Sequence, residues 1–191
     1  MVLNIGILIS QNGSNMLNIL KACHEKKIKA NVKVVISSNP NSKGLKKLKS
    51  FNAKSEVLLL KDFKNKKAYE NKINEIFKKN DVNFICLAGY MKILEKDFLK
   101  KWKKKIINIH PSLLPSFKGL EPQKQAIEKK VKFSGCTIHY VNHLLDDGEI
   151  IDQSIVKVEE NETVESLKKK ILIEEHKLYI NVLNKISKVL K

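Results

Sequence analysis

Val2-Leu3-Asn4-Ile5-Gly6-Ile7-Leu8-Ile9-Ser10-Gln11-Asn12-Gly13-Ser14-Asn15 begins as an apolar run, breaks into a polar loop containing one glycine, and passes at once into a segment of helical period. A short apolar run of this kind suits a strand buried on both faces, and the loop behind it suits a strand-to-helix turn. The same alternation recurs downstream. Runs rich in Val and Ile fall at residues 32–38, 55–60, 84–87, 106–110, 135–141 and 150–158, beside the first at 2–10. Between them Tyr69, Ile73, Ile76 and Phe77, and then Leu94, Phe98 and Trp102, recur at helical spacing. The last helix carries Leu167, Ile171, Leu178, Val182, Ile186 and Val189 as one long apolar stripe.

Strands alternating with helices are the sequence form of βαβ units. The fold class expected is α/β, a single Rossmann-like domain over residues 1–191, with a mostly parallel twisted sheet of about seven strands, helices on both faces and an antiparallel final strand. Asp146-Asp147-Gly148 reads as the turn between the last two strands. At 191 residues one compact core is the natural outcome.

The net charge is +17, and every one of the 37 basic residues is Lys. Such a field draws in phosphorylated or polycarboxylate small molecules as well as nucleic acid, or else reflects only a Lys-, Ile- and Asn-rich composition. Without Arg, the bidentate contacts that read guanine edges and phosphate forks are missing, so the lysines give a positive field without geometric specificity, and a basic nucleic-acid-binding module stays a rival reading. The lysines at 100, 101, 103, 104 and 105 around Trp102 read as a solvated helix face with one aromatic anchor. Cys23, Cys86 and Cys136 have neither disulfide arithmetic nor zinc spacing, which suits free thiols in a reducing cytoplasm. No stretch has the length of a membrane span, so no membrane partner is expected.

Three places carry candidate chemistry. The loop before the first helix offers consecutive backbone N–H groups and a glycine, which suits an anion site; Asn12 or Ser14 acting as a plain helix cap is the alternative. Asn108 and His110 lie two apart at a strand end, so they share a face, and Pro111 keeps the chain extended behind them. An amide donor beside an imidazole suits a reaction that develops an oxyanion and moves a proton. Asp146 follows in the predicted turn, where a carboxylate near His110 would raise the imidazole pKa and hold a water; a plain Asp-Gly turn is the alternative. Glu175 falls within about 40° of Ile171 and about 60° of Leu178 on the last helix, inside its apolar stripe. A carboxylate there is either a ligand group or one end of an ion pair with a lysine. Glu174 falls at the stripe's edge and His176 outside it.

Taken together, Asn12-Gly13-Ser14-Asn15, Ala88-Gly89-Tyr90-Met91-Lys92-Ile93-Leu94, Asn108 through Pro115, Gly135-Cys136-Thr137-Ile138-His139-Tyr140-Val141 and Glu174-Glu175-His176 make the chain resemble, over nearly its whole length, the phosphoribosylglycinamide formyltransferase family of purine synthesis. The resemblance implies that Gly13, Ser14 and Asn15 hold the phosphate of glycinamide ribonucleotide and Glu175 its ribose hydroxyls. It implies a folate site at Lys66 and along the backbone of Met91, Lys92, Ile93 and Leu94, bordered by Asn108. It makes Asn108, His110 and Asp146 the catalytic centre and 10-formyltetrahydrofolate the cosubstrate. The resemblance also implies no metal, small-molecule partners rather than nucleic acid, and a cytoplasmic monomer or homodimer. Gln11 stands where the family commonly has Gly, Lys118 and Glu149 where it often has Pro, and Lys66 where Arg is frequent. A Lys keeps the charge but loses the planar fork. Related formyl-handling enzymes that act on methionyl-tRNA or on water normally carry a further domain, for which this sequence leaves no room.

Overall fold

The computed structural model describes residues 2–48, 51 and 53–189. The strands are β1 (Leu3–Ile9), β2 (Ala30–Ser37), β3 (Ser55–Val57), β4 (Phe84–Leu87), β5 (Ile106–His110), β6 (Phe133–Tyr140) and β7 (Ile150–Lys157). The helices are α1 (Ser14–His24), α2 (Lys43–Leu48), α3 (Lys66–Lys79), α4 (Lys96–Lys101), α5 (Pro122–Glu128) and α6 (Val164–Val189). All seven strands join one sheet in the order β3-β2-β1-β4-β5-β6-β7. The pairings from β3 to β5 are parallel, and β6 runs antiparallel to both β5 and β7. The last pair is therefore antiparallel as expected, while the strand that opposes the other six is the penultimate one.

Side chains of β1 alternate between two apolar layers. Ile5, Ile7 and Ile9 pack with Met16 and Ile19 of α1 and with Ile171, Leu178 and Val182 of α6. Leu8 lies on the other face with Ile73 and Phe77 of α3 and with Trp102. Gly6 belongs to that second face, where a Cβ would come 2.5 Å from the Phe77 ring. Trp102 is buried, donates its indole N–H to Asn74 Oδ1 at 3.2 Å and meets Phe77 edge to face. It is a core anchor, and the lysines around it remain on the surface.

Three expectations are corrected by packing. Residues 55–60 form a strand only as far as Val57, since Leu60 starts a 3₁₀ turn. Leu94 and Trp102 are buried beside Phe98 but lie outside α4, which has six residues, with extended Glu95 as its N-cap and Trp102 as its C-cap. The α6 stripe fades at its end: Ile186 is partly buried, whereas Val189 is 84% exposed. No helix among the described residues is long and apolar enough to cross a membrane.

The strand order places β1 and β4 side by side although β2 and β3 intervene in sequence. That crossover leaves a crevice beyond their carboxyl ends, where ligands bind in open α/β sheets. The packing makes a sharp demand at its centre. Gly6→Ala should lower stability by about 1–3 kcal/mol through overpacking against Phe77, or roughly 2–4 °C in Tm for each kcal/mol. A thermal melt unchanged from wild type would contradict the tight approach of Phe77 to β1.

Candidate active site

Residues 10–15 leave β1 and residues 88–95 leave β4, and hydrogen bonds tie the two together. Ser10 N donates to Gly89 O at 3.0 Å, and Met91 N donates to Ser10 Oγ, also at 3.0 Å. Gly13, with a left-handed φ of 65°, is the N-cap of α1, and no side chain caps the helix. Neither Asn12 nor Ser14 takes that role. The first-turn N–H groups, which have no intrahelical acceptor, are thus presented at the crevice. A Cβ on Gly13 would meet the Gly44 backbone at 2.9 Å. The backbone of Gln11 is held in turn, with Gly44 N and Ser42 Oγ donating to its carbonyl.

Asn15 and Glu175 are one unit. Asn15 Nδ2 donates to Glu175 Oε2 at 2.8 Å, both residues are buried, and Asn15 Oδ1 has no hydrogen-bond partner among the described residues. Burial pushes the Glu175 carboxyl up to about 7, against the smaller opposing effect of the Asn15 bond. Its neighbours on α6 behave differently. Glu174 pairs with Lys177 and accepts from Ser154 Oγ, and His176 is half-buried, its Nε2 without a hydrogen-bond partner among the described residues. His176 faces an open groove of about 710 Å³ that it shares with Ser14 and Lys46.

On the β4 side, Met91 and Ile93 are 54% and 61% exposed. Lys92 borders a second groove of about 540 Å³ with Ser38 and Leu60. Leu94, by contrast, is buried in the core, so only its backbone is offered to a ligand. Lys66 starts α3 and is half-buried.

The third element is the end of β5. Asn108 pairs across the antiparallel ladder with His139, and His110 with Thr137. Thr137 Oγ1 accepts from Leu114 N and donates to Ser112 O, while Gln153 Nε2 donates to Thr137 Oγ1 and Leu114 O. These bonds hold the turn behind His110 in place. His110 Nδ1 lies 3.3 Å from Asp146 Oδ2, and its Nε2 donates to Phe117 O at 2.8 Å. Asp146 Oδ2 also accepts from Gly119 N at 2.9 Å. Asp146 holds a left-handed φ of 46°, a conformation that Asp tolerates better than most residues with a Cβ.

His139 is the residue that sequence reasoning did not assign. Its Nδ1 faces the Tyr140 carbonyl at 2.9 Å, so that nitrogen carries the proton, and its Nε2 accepts from Asn108 Nδ2 at 3.3 Å. Burial lowers its pKa, outweighing the Tyr140 bond and the Asp146 charge that oppose the shift, and so favours the neutral ring that this pairing needs. Its place opposite Asn108 depends on strand register, although its alternation with Thr137 on one strand was a usable signal. Lys118 and Glu149 each make an ion pair, Lys118 with Asp147 and Glu149 with Lys104 at 2.7 Å. The Lys118 pair bridges the two loops that carry Gly119 and Asp146. Among the described residues no group of three or more His, Cys, Asp and Glu side chains is arranged to hold a metal ion.

Comparison with known proteins bears on this arrangement. The formyl transferase family model matches residues 3–183. Phosphoribosylglycinamide formyltransferase of Bacillus subtilis is 35% identical over 180 residues, covering 94% of this chain and 92% of that protein. The trifunctional purine biosynthetic protein adenosine-3 of Bos taurus is 36% identical over 183 residues, covering 96% of this chain but only 18% of that protein. This chain thus spans less than a fifth of that trifunctional relative. The crystal structure of glycinamide ribonucleotide transformylase 1 from Symbiobacterium toebii superposes with a TM-score of 0.95 at 38% identity, over 98% of this chain and 89% of that one.

The Glu175 environment generates a signed pH dependence. A carboxyl raised from the ordinary range to about 7 binds its proton in the folded state when the unfolded chain has already released it. Its stabilising contribution is complete below the ordinary carboxylate pKa and is lost as pH rises toward 7. Glu175→Gln removes this term, so its stability relative to wild type should be greater at pH 8 than at pH 4 by about 1–3 kcal/mol. Parallel stability–pH curves from denaturant titrations would contradict the buried, protonatable carboxyl.

Proposed function

Because the chain belongs to the formyl transferase family, we propose that it transfers the formyl group of 10-formyltetrahydrofolate to the amine of N1-(5-phospho-D-ribosyl)glycinamide, a step of purine (IMP) synthesis in the cytoplasm. The observation that carries this reading is the meeting of three elements at the carboxyl ends of the adjacent central strands β1, β4 and β5: the open helix start at Gly13, the exposed Met91–Ile93 stretch, and the Asn108, His110 and Asp146 cluster. In the proposed arrangement Gly13, Ser14 and Asn15 take the acceptor's phosphate on backbone N–H groups at the positive end of α1. Glu175 takes the ribose hydroxyls, for which a carboxyl near its midpoint at neutral pH can accept or donate. Both substrates are small molecules, and the formyl donor is consumed as a substrate.

The donor lies along Lys66 and the backbone of Met91, Lys92, Ile93 and Leu94, with Asn108 at the reacting end. The acceptor amine attacks the formyl carbon, and the carbonyl electron pair moves onto oxygen to give a tetrahedral intermediate. Asn108 Nδ2 has two hydrogens, one turned to His139, and the other donates to that oxygen. His110 supplies a second donor when Phe117 O gives up its Nε2–H, since both ring nitrogens face protein acceptors in this conformation. One proton leaves the attacking nitrogen through a water held by Asp146 and reaches the departing folate nitrogen as the carbon–nitrogen bond breaks. The products are the N-formyl ribonucleotide and tetrahydrofolate.

The purified protein should consume the donor only when the phosphorylated acceptor is present, with no metal added. An acceptor analogue lacking the phosphate should show a KM raised at least about tenfold, the expected scale for losing charge-assisted bonds. Donor consumption with water or methionyl-tRNA as the sole acceptor would contradict the assignment, and so would indifference to the phosphate.

A further inference from the structure

Glu70 is a buried carboxylate that the proposed reaction does not use. It lies on α3, is 4% exposed, and accepts the backbone N–H of Glu95 on both oxygens, at 3.0 and 3.3 Å. Among the described residues no lysine pairs with it; Lys66, one turn earlier on α3, acts on its charge only at longer range. A carboxylate removed from water is costly, so a group kept there for a single backbone amide marks an amide whose position matters.

Glu95 supplies the reason. It is the N-cap of α4 and closes the segment that begins at Met91. In a capping box the cap's own N–H is taken by a polar side chain at the third helical position. Here that position is Phe98, which is buried in the core and has nothing to offer. Glu70 supplies the missing acceptor from another helix. The opposite end of the segment is fixed by Ser10, whose Oγ accepts from Met91 N, and Tyr90 beside it meets Tyr69 of α3 hydroxyl to hydroxyl at 3.1 Å. Between these pins Met91 and Ile93 project outward while Leu94 anchors inward.

We propose that Glu70 is a positioning residue for the formyl donor: by holding the Glu95 amide it fixes the far end of the 91–94 backbone, so that the donor meets a preformed edge. This rests on the assignment of that segment to the donor. Glu70 falls about 20° from Phe77 and about 60° from Ile73 on α3, so the stripe argument that singles out Glu175 applies to it as well.

Glu70→Met keeps the bulk and removes the acceptor, Glu70→Gln keeps an acceptor oxygen, and Glu95→Pro removes the donated N–H at a φ of −75° that already suits proline. In Glu70→Met and Glu95→Pro the donor KM should rise about tenfold, with the acceptor KM changed less than about twofold. Glu70→Gln should restore the donor KM to near wild type. Amide hydrogen exchange followed by NMR provides a readout apart from activity, with Glu95 exchanging at least about tenfold faster in Glu70→Met and not in Glu70→Gln. Unchanged exchange and donor KM in Glu70→Met, or equal rises in both KM values, overturn the proposal. Faster exchange with an unaltered donor KM also overturns it while leaving formyl transfer standing. Absence of transfer by wild type instead removes the reading beneath it, whatever the exchange shows.

Discussion

The carboxylate of Asp146 is the constraint on which the candidate centre depends. One of its oxygens receives Gly119 N from the loop after β5 and faces His110 Nδ1 at the end of that strand. Its own loop connects β6 to β7, so a single nearly buried group ties that loop to the end of β5 and to the turn that follows it, 27 residues or more earlier in the chain. Charge-assisted bonds of this kind are stronger than neutral ones, and a buried carboxylate stripped of its donors would be costly. Lys118 and Asp147 add an outer ion pair between the same loops, but an exposed pair contributes little beside the inner bonds.

The sheet order provides the rest. Placing β4 against β1 brings two loops into contact that the chain separates by more than seventy residues, and Ser10 records that contact with two hydrogen bonds. The helix start proposed to take the phosphate and the exposed stretch proposed to take the donor thereby become neighbours without any dedicated linker. Antiparallel β6 then sets His139 opposite Asn108, where its imidazole takes one N–H of the Asn108 amide and leaves the other for the proposed donor role. Each side chain of the centre is thus oriented by a neighbour that is itself buried or hydrogen-bonded, which is the condition for a preorganised site.

Much of this was legible in the sequence, because periodicity is a local property. The apolar run that becomes β1, the shared face of Asn108 and His110, and the carboxylate of Glu175 inside an apolar stripe all follow from spacing along one element. What escaped depends on contacts between elements. His139 needs the β5–β6 register, and Tyr179, which donates its hydroxyl to Leu87 O at the end of β4, needs the packing of α6 on the sheet. The extent of α4 was misread because Leu94 and Trp102 are buried with helical spacing while their backbones lie outside the helix. The commitment of His110 Nε2 to Phe117 O is also a tertiary fact that spacing along β5 does not show.

In the proposed reaction Asp146 acts on the chemical step, with the substrates bound elsewhere. Single-turnover formyl transfer by Asp146→Asn, at saturating concentrations of both substrates fixed by equilibrium titration, tests it most directly. The account predicts a rate constant lower by about 100-fold or more, in the range for losing a general acid or base, with both Kd values within about threefold of wild type. A wild-type rate constant, or a loss explained wholly by weaker binding of either substrate, would contradict it.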